Sequence, residues 1–173
     1  MSVTPGMESD RLLIQPLNYD QVIHYQTGRP LLIEGSALEY PVHTVPPELV
    51  EVLSDFILPK LRDAGASYLY HTLWLIREKN SGQLVGSFLF KGVPDEQGCV
   101  EIGYGTEAVF QGRGYMTEAL SATLRWASNR PDITTVTAET EAGNLASIQV
   151  LKKNNFEPCG QKGTLLYWRK SCK

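Results

Sequence analysis

Residues 100–119 constrain the fold most strongly, because a strand, a glycine-rich loop and a helix follow one another in this stretch. The pattern predicts a β-strand over 99–104, and Tyr115–Ser128 has apolar residues at helical spacing. Gly112 and Gly114 lie between them, where they let the backbone bend and a ligand approach closely. The unpaired N–H groups of a first helical turn favour a phosphate. Similar loops also occur in proteins that bind nothing there, so the loop alone leaves both interpretations open.

The remaining sequence predicts an α+β domain that spans residues 1–173. Further strands are expected at 11–14, 70–78, 84–91, 133–140, 156–161 and 165–169. Further helices are expected at 18–25, 47–61 and 144–154. The order is then β-α-α-β-β-β-α-β-α-β-β, after a loose leader at 1–9. The antiparallel first half and the single βαβ crossover predict a mixed, mostly antiparallel sheet of about seven strands.

Composition excludes several classes of partner. The chain has 173 residues and a net charge of −3, from 16 basic and 19 acidic side chains. No basic cluster stands out, so nucleic acid is not expected as a partner. Apolar runs are far shorter than the roughly 20 residues that span a bilayer, so no membrane association is expected.

The cysteines and histidines do not form a recognisable site. Three cysteines, Cys99, Cys159 and Cys172, do not suggest a disulfide framework. Together with the absence of a signal-like N-terminus, they predict a cytoplasmic protein. The histidines, His24, His43 and His71, lack the spacing of metal ligands, so no metal site is expected.

A nucleotide-binding alternative rests on residues 103–108, which fit the dinucleotide pattern G-x-G-x-x-A after a strand. However, the next helix is predicted to begin near Gly114, outside the match. The region about 20 residues further on is predicted helix rather than a strand that ends in an acid. We therefore interpret this match as accidental, and a nucleotide-dependent oxidoreductase as the weakest alternative.

Four blocks of sequence resemble the GNAT superfamily of N-acetyltransferases. Residues 111–116, Gln-Gly-Arg-Gly-Tyr-Met, are similar to its signature Q/R-x-x-G-x-G/A. Other blocks resemble the branch that contains the ribosomal-protein alanine acetyltransferases: Ser9-Asp-Arg-Leu-Leu-Ile-Gln-Pro16, Ile102-Gly-Tyr104 with Gly114-Tyr-Met-Thr-Glu-Ala119, and Asn144-Leu-Ala-Ser147 with Leu151-Lys152 and Asn155-Phe156. The blocks occur in the family's order and cover nearly the whole chain.

This resemblance implies a GNAT-like sheet with helices on both faces and two neighbouring strands splayed apart, with acetyl-CoA as co-substrate. The pantetheine arm would lie in the gap, beside the backbone of Tyr104 and Thr106. Backbone N–H groups would hold the pyrophosphate, namely those of Gln111, Gly112, Arg113, Gly114, Tyr115 and Met116. Asn144 and Ser147 would face the cofactor. The loop at 26–48 would cap the acceptor side, where Glu34, Glu39 and Glu48 would suit a cationic amine.

Two departures from the family pattern are physically mild. Met116 stands where the signature has Gly or Ala, so its side chain must point away from the pyrophosphate. Asn155 replaces the glycine before Phe156, and asparagine tolerates the left-handed conformation expected after a helix.

The predicted reaction is direct acetyl transfer, in a ternary complex, to a primary amine on a protein N-terminus or a small molecule. Glu101 is the predicted base, with Glu107 as its rival. Ser147 is predicted to contact the cofactor or to protonate the thiolate, and Tyr104 and Tyr115 are alternative acids. A monomer or homodimer is expected. A non-catalytic acyl-CoA sensor without a working base is the principal alternative.

Overall fold

The computed structural model describes residues 6–31 and 43–173. Within these ranges the chain forms one eight-stranded sheet. The strands are β1 (Met7–Glu8), β2 (Leu12–Pro16), β3 (Leu73–Glu78), β4 (Leu84–Phe90), β5 (Cys99–Thr106), β6 (Thr135–Glu141), β7 (Glu157–Lys162) and β8 (Leu165–Ser171). The α-helices are α1 (Tyr19–Gln26), α2 (Pro47–Val52), α3 (Leu58–Leu61), α4 (Tyr115–Ser128) and α5 (Leu145–Lys153). A π-helical turn, Leu53–Ile57, joins α2 to α3, and 3-10 helices cover Gly65–Tyr70 and Ala108–Phe110.

The sheet is mixed and mostly antiparallel, in the order β1-β2-β3-β4-β5-β6-β8-β7. Among the described strands, β5 and β6 are the parallel pair, and α4 makes the crossover between them. The last two strands form a hairpin that places β8 against β6 and leaves β7 at the edge. The predicted α+β class is therefore confirmed.

The strand count is eight rather than about seven, because residues 7–8 of the expected loose leader form β1. Met7 pairs with Ile14, and Glu8 pairs with Leu13. The Met7 side chain is buried in the core, and the removal of its apolar surface from water stabilises the pairing. Residues 1–5 of the expected leader lie outside the described residues.

The predicted strand at 70–78 begins later, at Leu73, because side-chain bonds hold the preceding residues in a turn. The Tyr70 hydroxyl donates to an Asp132 carboxylate oxygen at 2.6 Å. The indole N–H of Trp74 donates to the Leu69 carbonyl at 2.9 Å. These bonds favour the 3-10 helix that ends at Tyr70 over an extended chain.

The predicted helix at 47–61 forms, but a π-helical turn widens its middle. In this turn the N–H of Leu58 donates to the carbonyl of Leu53, five residues earlier. Pro59 follows directly, has no N–H to donate and crowds the carbonyl four residues before it. A helix commonly responds to such crowding with a local distortion.

Helices cover both faces of the sheet, as the family resemblance implied. Helices α4 and α5 pack on one face, where their core residues include Leu120 and Leu151. Helix α1, the π-helical turn and α3 pack on the other face, where the core includes Leu53 and Leu75. The second face of β4 and β5 therefore lies beneath the helices of the first half of the chain.

Candidate active site

Strands β5 and β6 part in the middle of the sheet. Residues 99–101 of β5 pair with 135–137 of β6, and the described pairing ends there. Strand β6 then continues with β8 as far as Glu141, while β5 continues with β4 as far as Thr106. Residues 102–106 consequently face an opening on the β6 side.

The backbone alternation identifies which groups of β5 point into this opening. Lys91 donates its N–H to the Glu101 carbonyl, and Glu107 donates its N–H to the Val85 carbonyl, so the odd-numbered residues bond to the β4 side. In an antiparallel ladder the intervening residues point the other way. The main-chain groups of Tyr104 and Thr106 therefore face the gap.

The loop before α4 presents a run of main-chain donors. Gly112 and Gly114 have φ values of 75° and 77°, a left-handed conformation that glycine adopts without steric cost. In the described structure, the N–H groups of residues 112–117 donate to no protein acceptor. Gln111 is different, because its N–H donates to the Ala108 carbonyl at 3.4 Å. The expected set of phosphate donors thus begins one residue later than the sequence suggested.

A cleft of about 380 Å³ lies between this loop, the gap and the start of α5. It brings together every predicted cofactor residue except Arg113: Tyr104, Thr106, Gln111, Gly112, Gly114, Tyr115, Met116, Asn144 and Ser147. Arg113 instead lies over the Phe110 ring, at 5.4 Å. The cleft also contains Lys153, a cation that sequence reasoning missed because only the neighbouring Lys152 matched a family block.

Arg11 supports the loop before α4 from outside the cleft. Its Nε donates to the Glu118 carboxylate at 2.6 Å, and its Nη1 donates to the Arg113 carbonyl at 3.1 Å. The guanidinium also lies 4.5 Å from the centre of the Tyr115 ring. Ser9 donates a further bond to Glu118, at 2.7 Å. These contacts connect the start of β2 with the loop and the first turn of α4.

Two side chains of the cleft form a hydrogen-bonded pair below the gap. The Tyr104 hydroxyl and Ser147 Oγ are 2.8 Å apart. Burial raises the pKa of Tyr104 above its ordinary value, although the bond to Ser147 lowers it in part. The Ser147 N–H donates to the Asn144 side chain at 3.1 Å, which caps α5 and fixes the position of Ser147.

The fold accommodates both departures from the family pattern. The Met116 side chain is 5% exposed and packs in the core, with its Cε 3.0 Å from where a Cβ on Gly86 would lie. Glycine at 86 therefore provides the space that the longer side chain needs. Asn155 adopts a φ of 57°, the expected left-handed conformation.

A second cleft, of about 680 Å³, opens on the opposite face of β4 and β5. Helix α2, the π-helical turn and α3 form its other wall. Tyr104 and Gly105 line both clefts, so the two meet at the parted section of β5. Glu48 lines this second cleft, whereas Glu34 and Glu39 lie outside the described residues. The acceptor-side role of 26–48 stays a prediction.

Glu101, the predicted base, is ion-paired with Lys91 on this second face. Lys91 also lies 3.6 Å from Glu139. Burial opposes the charge on Lys91, but the hydrogen bonds and charges of Glu101 and Glu139 together raise its pKa. Lys91 lines the second cleft and Glu101 does not.

Glu107, the rival base, and His71 occupy different surroundings. Burial raises the pKa of Glu107, while the charge of His43 opposes this shift. Burial and, to a smaller extent, the charge of Lys60 lower the pKa of His71, which lines the second cleft. The dinucleotide match at 103–108 lies in the end of β5 and a 3-10 helix, not at a strand-to-helix turn.

Residues 11–157 match the family described as the acetyltransferase (GNAT) domain. The chain belongs to the GNAT acetyltransferase family. The uncharacterized N-acetyltransferase YjdG of Bacillus subtilis (strain 168) is 37% identical over 83 residues, which are 48% of this chain. These residues are 49% of YjdG, so the chain spans about half the length of this relative. The predicted family is therefore confirmed.

Solved structures share the fold at low sequence identity. The ribosomal-protein-S5-alanine acetyltransferase of Vibrio fischeri matches with a TM-score of 0.68 and 15% identity, over 96% of each chain. RimL, a ribosomal L7/L12 alpha-N-protein acetyltransferase in complex with coenzyme A, matches with a TM-score of 0.65 and 20% identity. That match covers 94% of this chain and 95% of RimL. These similarities show the fold alone.

Residues 6–31 and 43–173 contain neither a membrane-spanning helix nor a metal-binding cluster. None of the helices there combines the length and apolar character that crossing a bilayer requires. No group of three or more His, Cys, Asp or Glu side chains in these ranges is arranged to hold a metal ion.

Proposed function

We propose that this chain is an N-acetyltransferase that transfers an acetyl group from acetyl-CoA to a primary amine on a peptide N-terminus or a small molecule. One observation carries the proposal: two clefts on opposite faces of the sheet meet at Tyr104 and Gly105, where β5 has parted from β6. Two substrates that enter from opposite faces can therefore touch at this point.

The first cleft suits acetyl-CoA. Consecutive main-chain N–H groups at the start of a helix favour a pyrophosphate, and Lys153 adds a positive charge in the same cleft. The extended pantetheine arm carries amides that can bond to the gap-facing backbone of Tyr104 and Thr106. Asn144 and Ser147 complete the wall on the side of α5.

The chemistry balances as a direct transfer. The amine nitrogen bonds to the thioester carbonyl carbon, the carbon–sulfur bond breaks, and the products are an acetamide and the thiol of coenzyme A. One proton must leave the amine and one must reach the sulfur. We assign the first transfer to Glu101 through a relaying water, because Glu101 is ion-paired with Lys91 and does not itself line the cleft. We assign the second to the Tyr104–Ser147 pair.

An acetyl-CoA-dependent thiol-release assay against a panel of amines and peptides tests the function. We expect turnover with at least one acceptor, and a rise in melting temperature with acetyl-CoA but not with NAD(P), because a ligand stabilises the state that binds it. The absence of both effects would contradict the proposal.

The role of Glu101 has its own test. Glu101→Gln should lower kcat about 100-fold or more, the usual scale for the loss of a general base. Binding of acetyl-CoA should persist. Glu139→Gln is the matched control, since Glu139 contacts the same Lys91. Full activity of Glu101→Gln would place the base elsewhere and leave the acetyl transfer itself intact.

A non-catalytic acyl-CoA sensor is the second candidate, and the Lys91–Glu101 ion pair favours it. A carboxylate that is already paired with an ammonium group is less available to take a proton from a substrate. A sensor would bind acetyl-CoA in calorimetry and release no thiol with any acceptor. Turnover by the unmodified protein would exclude it.

A further inference from the structure

The second cleft has predominantly apolar walls. Helical side chains form one wall, among them Leu49, Val52 and Phe56, and side chains of the sheet, such as Leu73 and Leu89, form the other. A cleft of about 680 Å³ is large enough for a small molecule or the first residues of a peptide. Apolar walls of this kind stabilise a ligand by removing its apolar surface from water.

The π-helical turn presents an aromatic ring to this cleft. Leu53 and Ile57 of the turn are buried in the core, whereas the Phe56 side chain is 61% exposed. The exposed ring lies among the residues that line the cleft. A π-helical turn is an uncommon distortion that occurs frequently at functional sites. Here the turn keeps Leu53 and Ile57 in the core and leaves Phe56 available to a ligand.

Among the described residues, the charges at the cleft do not favour a polycation. Among its described lining residues, Lys60 and Lys91 are cationic and Glu48 is the acidic one. The nearby carboxylate of Glu101 is already paired with Lys91. A second or third ammonium group on the acceptor would therefore meet positive charges as well as Glu48, and like charges repel.

We propose that the acceptor is a monoamine with a bulky apolar or aromatic group beside its amine, and that this group packs against Phe56. This inference rests on the proposed acetyl transfer and specifies its substrate class. The same chemistry occurs in a free aralkylamine and at a peptide N-terminus with a large apolar first residue. The two sources share the amine and the adjacent apolar group, and they differ in what extends beyond it.

Matched acceptors test the proposal at saturating acetyl-CoA. We compare phenethylamine with ethylamine, and a phenylalanine-first tetrapeptide with its glycine-first counterpart. Spermidine serves as the polycation. In at least one pair the apolar member should have a kcat/KM about tenfold higher or more, the scale on which apolar pockets discriminate. The pair with the larger ratio of kcat/KM shows whether the acceptor is a free amine or a peptide N-terminus. Ratios near one in both pairs, or spermidine as the best acceptor, would overturn the proposal.

Variants at the cleft connect this preference with Phe56. Phe56→Ala should reduce the ratio of kcat/KM between the apolar and the small acceptor several-fold, mainly by raising the KM of the apolar acceptor. Phe56→Leu should retain most of this ratio. Val93→Ala is the matched control, because Val93 is 52% exposed and does not line either of the two clefts. Melting temperatures establish that each variant is folded. An unchanged ratio in folded Phe56→Ala would contradict the assignment.

A binding experiment separates this proposal from the acetyl transfer. Phenethylamine and ethylamine are titrated by calorimetry into protein saturated with coenzyme A. If no acceptor is turned over, tighter binding of phenethylamine that Phe56→Ala weakens would still support the apolar site, while the proposed function fails. Equal binding of the two amines would overturn the apolar site whatever the turnover.

Discussion

Tyr104 lines both clefts, and its hydroxyl belongs to the proposed proton donor. Its pKa lies above the ordinary value because the ring is buried, so the phenol stays protonated at neutral pH. Its hydroxyl is hydrogen-bonded to the Ser147 hydroxyl, so a proton could pass between the two groups within the first cleft. A protonated hydroxyl at this position can supply the proton that the departing sulfur requires.

We predict that Tyr104→Phe lowers kcat by about 100-fold, the lower end for loss of an acid catalyst, and changes the KM for acetyl-CoA little. The ring remains, so the packing is preserved. Because the folded pKa is raised above about 10, this group should cause no loss of wild-type kcat between about pH 7 and pH 9. Steady-state kinetics across this range measure both effects. A kcat that Tyr104→Phe leaves unchanged would remove Tyr104 from the mechanism.

Met116 illustrates how a single side chain depends on a distant glycine. Truncation by Met116→Ala should lower the free energy of unfolding by about 2–3 kcal/mol, because the buried side chain leaves a cavity against Gly86. Urea denaturation measures the change. Val109→Ala is the comparison, since Val109 is 72% exposed and its truncation should cost little. An equal loss of unfolding free energy in the two variants would contradict the packing of Met116 against Gly86.

At the scale of elements, the loop before α4 is supported by the residue that precedes β2 as well as by α4. Arg11 bonds to the Arg113 carbonyl inside the loop and to Glu118 in the first turn of the helix. The loop therefore has support on the side away from the cleft. Rigid support of this kind reduces the ordering cost that a ligand must overcome.

We expect Arg11→Ala to raise the KM for acetyl-CoA several-fold while the KM for the acceptor stays unchanged. The reason is that the lost hydrogen bonds support the first cleft and not the second. Lys79→Ala is the matched control: it breaks another ion pair of the N-terminal segment, with Glu8 at 3.2 Å, and does not touch the loop. Initial rates at varied acetyl-CoA measure the effect. An equal rise for Lys79→Ala would show that the effect is one of general destabilisation.

The same contact predicts a pH dependence of stability. Burial opposes the charge of Glu118, but its bonds to Ser9 and Arg11 lower the carboxyl pKa below the ordinary value. The stabilisation is therefore present above the unfolded pKa of about 4.3, and it is lost as the pH falls through the lowered folded value. The free energy of unfolding of the wild type should exceed that of Glu118→Gln by about 1 kcal/mol at pH 7, and this difference should disappear in acid. Urea denaturation at several pH values measures it.

At the scale of the whole molecule, local signals predicted the elements and missed the contacts between them. Helix Tyr115–Ser128 has the predicted ends, because its apolar periodicity and the preceding glycines are local features. The Arg11–Glu118 bond joins residues 107 positions apart, and the Lys91–Glu101 pair depends on the register of β4 against β5. The second cleft depends on a π-helical turn that apolar spacing does not reveal.

The arrangement of the clefts also predicts the order of chemical events. In the proposed reaction each substrate has its own cleft, and the two clefts meet at Tyr104 and Gly105, so both substrates can be bound at once. Cys99 lines neither cleft, and the Ser147 hydroxyl is engaged with Tyr104, so neither is well placed to carry the acetyl group.

Direct transfer in a ternary complex requires intersecting lines when initial rates are plotted for both substrates. It also requires that no thiol be released before an acceptor is added. Parallel lines with a stoichiometric burst of thiol would instead indicate an acetylated enzyme. In that case Ser147→Ala should abolish the burst if Ser147 carries the acetyl group, because the Ser147 hydroxyl lines the first cleft beside Tyr104. The initial-rate pattern therefore decides whether the two substrates are bound at the same time or react one after the other.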